Sequence, residues 1–155
     1  DTCKTAVHDF EGDQTYSEKV GHNFALNADF AKVSPGSYDG LIVPGGRAPE
    51  YLALDPQVTG LVEAFAAQGK PIASICHGQQ ILAATNVLRG KTCTAYPAVG
   101  PACKLAGANW VEPNPISMAV TDGLLVTAAA WPGHPEFLSQ LNRVMGVHGS
   151  AAGAA

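Results

Sequence analysis

Charged residues are scarce in this chain, at 14% of its 155 residues, and basic ones are scarcer still. Nine lysines and arginines are scattered among thirteen acidic residues, giving a net charge of −4. Neutralising nucleic-acid phosphates takes a basic stripe, so nucleic acid is excluded as a partner. No apolar run approaches the roughly 18 residues of a membrane-spanning helix, and Asp1-Thr2-Cys3-Lys4 opens no apolar signal segment. A protein without membrane association, in a soluble compartment, is the expectation. The four cysteines, Cys3, Cys76, Cys93 and Cys103, form no CxxC pair and have no histidine at matching spacing, which argues against structural zinc or another metal. Free thiols suit a reducing compartment, so the cytoplasm is expected, with nucleus and plastid as alternatives. Internal repeats and heptad runs are also missing.

What is present is a hydrophobic fraction of 46%, enough for a soluble globular chain. A core of this length buries about two thirds of the surface of the unfolded chain, so residues 1–148 are expected as one domain, with a frayed Gly/Ala tail over 149–155. Residues 1–30 alternate polar and aromatic and read as extended structure, with a hairpin at Val20-Gly21-His22. From residue 40 the pattern changes. Gly40-Leu41-Ile42-Val43 is a short apolar run stopped by Pro44-Gly45-Gly46, as in a strand buried on both faces. Residues 56–68 have helical spacing, with Asp55 as N-cap, Pro56 at the first position and Gly69 as the stop. Pro71–Ile75 is a second buried strand and 78–84 a second helix. Strands follow over 91–95, 110–111, 119–120 and 124–128, with helices over 99–106 and 135–145. This alternation predicts an α/β fold with a mainly parallel sheet covered on both faces. Nothing before residue 40 reads as the buried strand and long helix with which such a sheet usually begins.

The segment Ser74-Ile75-Cys76-His77-Gly78-Gln79 carries the clearest chemistry. A thiol between a strand and a helix is held out of the sheet and faces unpaired helix amides, which favour the thiolate, while Gly78 relieves crowding in the turn. The alternative is that Cys76 is a small buried hydrophobe. His77 is a candidate base, or simply a histidine at a helix start pointing across the pocket. Glu50, after the Gly45-Gly46-Arg47-Ala48-Pro49 turn, could orient it. Ligands of open α/β sheets bind beyond the carboxyl ends of the strands, where both turns converge. The amides of Gly46 and His77 could there form an oxyanion hole. Trp131 and His134, after the predicted strand 124–128, could wall the same pocket or serve packing alone. Cys93 and Cys103 read as structural. The Gly-Gly pair lacks the lysine and Ser/Thr of a phosphate loop.

The blocks Tyr38 to Leu52, Lys70 to Gly78, Cys93 to Pro97 and Trp131 to Phe137 resemble, in order and spacing, the ThiJ/PfpI superfamily. The closest resemblance is to the second repeat of plant two-domain glyoxalase III proteins. It implies a flavodoxin-like (class I glutamine amidotransferase-like) three-layer sandwich and cofactor-free conversion of methylglyoxal to lactate. It also implies a catalytic Cys76 completed by His77 and Glu50, with a small aldehyde as substrate. The superfamily's other attributed activities leave a cysteine peptidase or deglycase, and a non-catalytic stress-protective or binding protein, as alternatives. Members of the superfamily open with a strand and helix bearing an acidic residue that touches the cysteine, and this sequence has no counterpart. A domain without those elements should expose an apolar patch, so a homo-oligomer or a sister domain is the expected partner. Tyr96 stands where the animal branch has a pocket histidine, which assigns the proton-shuttling role to His77.

Overall fold

In the computed structural model, which describes residues 2–9 and 17–147, strand β1 (Thr2–Asp9) pairs antiparallel with β2 (Ser17–Ala25). The hairpin is real, but its turn is not at Val20-Gly21-His22. Those residues lie inside β2, and the turn and the Gly/Ala tail fall outside the described residues. Lys4 pairs with Asn23 and Ala6 with Val20, so Thr5 alone faces Gly21 and His22 in a β-bulge. Thr5 Oγ1 donates to the His22 carbonyl at 3.0 Å, and a side chain at position 21 would strike that hydroxyl. The glycine thus marks a bulge rather than a reversal. The chain divides into two compact units, Asp1–Val33, which holds this hairpin, and Ser34–Ala155.

The second unit is built on a four-stranded sheet of β3 (Leu41–Val43), β4 (Ile72–Ile75), β7 (Ala119–Asp122) and β8 (Leu125–Ala128), in the order β3-β4-β8-β7. The first three strands of that order run parallel, and β7 returns antiparallel beside β8. A separate pair, β5 (Thr92–Cys93) and β6 (Asn109–Trp110), is parallel and joined by helix α4 (Gly100–Leu105). The strand expected over 91–95 is therefore shorter and sits outside the main sheet.

Every residue of β4 and β8 is buried, which explains why these strands read as continuous apolar runs. Their two-residue period sorts the side chains into two cores. Ile72 and Leu125 join Val58, Val62 and Phe65 of α2 (Pro56–Ala67), together with Ile81 and Leu82 of α3 (Gln79–Ala83). Ala73, Ile75, Val126 and Ala128 face the other way, onto Phe137 and Leu141 of α5 (His134–Val144). Two helical layers enclosing one sheet make the flavodoxin-like α/β sandwich expected from the sequence. Helix α2 begins as its sequence dictates: the Asp55 side chain accepts from the Gln57 amide at 2.8 Å, with Pro56 at the first helical position. One short helix was not legible, α1 (Ala48–Leu52), whose five residues are too few to show a period.

Candidate active site

Cys76 leaves the end of β4 at φ +64, the one non-glycine residue with positive φ among the described residues. A left-handed conformation costs a non-glycine residue about 1–3 kcal/mol and persists only where the surroundings enforce it. Here the peptide is held on both sides. The Cys76 amide donates to the Ala128 carbonyl of β8 at 3.0 Å, and the Cys76 carbonyl accepts from the Tyr96 amide at 3.0 Å. The Gly78 amide closes the turn on the Ile75 carbonyl at 3.0 Å, and α3 starts at the next residue.

The turn after β3 presses against this one. A Cβ added to Gly45 would lie 2.6 Å from Cys76 Cβ and 3.1 Å from its Sγ, and one added to Gly78 would lie 2.6 Å from the Val43 carbonyl oxygen. Both glycines are there because the two strand ends touch. Gly46 follows at φ +78, a region open to glycine and strained for other residues, and turns the chain into α1. The convergence of the two turns at the carboxyl edge of the sheet, expected from the sequence, is the geometry found.

His77 does face its neighbour: Cys76 Sγ and His77 Nδ1 are 3.3 Å apart. The Tyr96 ring stacks on the imidazole, with centroids 5.0 Å apart and planes at 24°, which holds the histidine beside the thiol. Tyr96 thus meets Cys76 through its backbone and His77 through its ring. Glu50 lies in the first turn of α1, half-exposed, and forms an ion pair with Arg47 at 3.6 Å. Trp131 and His134 occupy the exposed turn and helix start that follow β8. Among the described residues, no group of three His, Cys, Asp or Glu could hold a metal ion, and no helix is long and apolar enough to cross a membrane.

The remaining thiols lie elsewhere. Cys3 is exposed on β1, while Cys93 of β5 and Cys103 of α4 are fully buried. The neighbouring Cys93 thiol first and burial second push the Cys103 thiol far above its ordinary range. A thiol flanked by a stacked histidine, on a strained turn between a parallel strand and a helix, has the geometry that covalent attack on an electrophilic carbon needs.

The model of the DJ-1/PfpI family matches residues 2–143. The chain belongs to that family. Within it, protein DJ-1 homolog D of Arabidopsis thaliana is 61% identical over 147 residues, which are 95% of this chain and 38% of that protein. The chain therefore spans well under half the length of this plant relative. A deglycase of Pyrococcus horikoshii is 39% identical over 114 residues, covering 74% of this chain and 66% of that enzyme. Among solved structures, a two-domain protein of Anabaena variabilis with DJ-1/ThiJ/PfpI-like and ferritin-like domains superposes with a TM-score of 0.74 at 25% identity. The match covers 92% of this chain and 39% of that one.

Two features of the site went unread in the sequence. Nothing in the motif Ser74 to Gln79 assigns a role to Gln79, which is fully buried. The stacking of Tyr96 on His77 was also missed, since residues 19 apart show no periodic relation. A buried amide next to a nucleophile turn is the signal that could have found the first.

Proposed function

We propose that this chain carries a cofactor-independent glyoxalase site that converts methylglyoxal to lactate, with Cys76 as nucleophile. The observation that carries it is the strained Cys76 with its sulfur 3.3 Å from His77 Nδ1. The family includes proteins named as deglycases, which supports enzymatic activity in general.

In this reading the Cys76 thiolate adds to the aldehyde carbon, and the amides of Gly46 and His77 hold the oxyanion that forms. Protonation gives a hemithioacetal. His77, the nearest base, removes the proton on the former aldehyde carbon to give an enediol and returns it to the neighbouring carbon, leaving a lactoyl thioester. Water hydrolyses the thioester to lactate and regenerates the thiol, so that methylglyoxal and one water become lactic acid. Glu50 is assigned to orienting His77, and Tyr96, Trp131 and His134 to walling the substrate. Deglycation is the second reading, favoured by the 39% identity to the Pyrococcus horikoshii enzyme. It would use the same thiol on an adduct already attached to an amine.

The edge of β3 is unpaired among the described residues and exposes Ile42, which supports the expected association with a second copy or a sister domain. The test is a substrate panel without glutathione: methylglyoxal alone, a glycated model peptide, and an unmodified peptide. Lactate from methylglyoxal supports the glyoxalase reading. Release of the adduct with no turnover of the free aldehyde would replace it with deglycation, and cleavage of the unmodified peptide with a peptidase.

A further inference from the structure

Gln79 has no solvent exposure, and its Nε2 lies within hydrogen-bond distance of three backbone carbonyls. These belong to Ser74 of β4 at 3.1 Å, Thr94 beyond β5 at 2.8 Å and Ala128 of β8 at 3.0 Å. Only the NH2 group of the amide donates, so it is this end that faces the three oxygens, its two hydrogens shared among them, while Oε1 is buried without a partner among the described residues. One side chain therefore ties together three segments that end at the same edge of the fold.

Those segments are the ones that grip Cys76. The Ala128 carbonyl that takes a hydrogen bond from Gln79 also takes the one from the Cys76 amide. Thr94 lies two residues before Tyr96, whose amide holds the Cys76 carbonyl and whose ring stacks on His77. Thr94 is in turn pinned to β8, its amide donating to Thr127 Oγ1 at 3.0 Å. Ser74 precedes the nucleophile by two residues on its own strand.

We propose that Gln79 is a positioning residue: it locks the three strand ends that hold Cys76 in its left-handed conformation and keep its sulfur against His77. It touches no reacting atom and acts only through these contacts. The proposal rests on Cys76 being the nucleophile, so its test uses the thiol itself rather than turnover. In the full chain, Gln79→Met keeps the length and volume of the side chain but donates nothing. Iodoacetamide labelling resolved by peptide mass spectrometry follows Cys76, with exposed Cys3 as internal standard and buried Cys93 and Cys103 as reporters of general loosening.

Relative to Cys3, Cys76 should label about tenfold more slowly in Gln79→Met, a loss in keeping with the steep dependence of reactivity on nucleophile placement. Cys93 and Cys103 should stay protected. His77→Ala should also slow Cys76, and the double variant should be no slower than His77→Ala alone, because both changes break the same contact. An unchanged Cys76 rate, additive losses, or labelling of Cys93 and Cys103 in step with Cys76 would overturn the proposal. Should Gln79→Met fail to fold, Gln79→Asn, which keeps the amide but is one methylene too short to reach the carbonyls, carries the same outcomes. Labelling needs no substrate, so failure of the wild-type protein to make lactate would remove the glyoxalase reading without touching this result.

Discussion

Replacing Gly45 with alanine tests whether the two turns depend on each other. The new methyl would sit 2.6 Å from Cys76 Cβ, whereas non-bonded carbons settle at about 3.5–4.0 Å. One turn must therefore retreat by about 1 Å. Neither side offers a flexible tip that could swing away, since the clash is with a Cβ fixed by the Cys76 backbone. Overpacking of this kind costs about 1–3 kcal/mol. Gly45 does not need positive φ, so the alanine also removes unfolded-chain entropy, worth about 0.4–1 kcal/mol in the opposite direction. The net expectation is a destabilisation of about 1–2 kcal/mol in urea unfolding. A displacement of that size at a nucleophile is expected to lower turnover by about 100-fold. Gly60→Ala is the matched control: it lies inside α2 with nothing within 4 Å of the added Cβ, and should stabilise by about 0.5–1 kcal/mol. If Gly45→Ala unfolds at the wild-type midpoint with unchanged Cys76 labelling, the close approach of the turns is not what sets the site.

Other outcomes follow from particular contacts. Asp122 accepts from the Thr92 amide at 2.7 Å and pairs with Lys91 at 3.6 Å, and the amide bond first and the lysine second hold its carboxyl below the usual range. A depressed carboxylate stabilises the fold above its unfolded value and loses that contribution as pH falls through its folded one. Asp122→Asn should therefore cost about 1 kcal/mol at neutral pH, with the deficit closing below about pH 4, as unfolding at several pH values would show. In the native protein iodoacetamide should label Cys3 and Cys76 and spare Cys93 and Cys103 until denaturant is added; labelling of the buried pair in the folded state would contradict their packing. Tyr96→Ala should lower turnover more than Tyr96→Phe, since the stacking on His77 needs a ring but not the hydroxyl; equal losses would give the hydroxyl the role instead.

The fold beyond residue 40 was largely legible because its signals are local. Two strands buried on both faces leave unbroken apolar runs, and Asp55-Pro56 and Gly69 punctuate α2. Gly21 misled because a bulge and a turn ask the same freedom of a glycine, and only the register against β1 tells them apart. The position of Cys76 could be read from its strand-to-helix setting. Its contact with His77 could not, because adjacent side chains meet only where the backbone turns sharply, as it does at φ +64. Gln79 escaped for a related reason. Its partners are backbone carbonyls from three segments, and carbonyls leave no trace in a sequence.

The central claim is that Cys76 attacks an aldehyde without help from glutathione. It is tested most directly by following lactate from methylglyoxal with the wild-type chain and with Cys76→Ala, each shown to be folded. Lactate formation by the wild type and its loss in the variant are predicted; equal lactate formation by both proteins would contradict the claim.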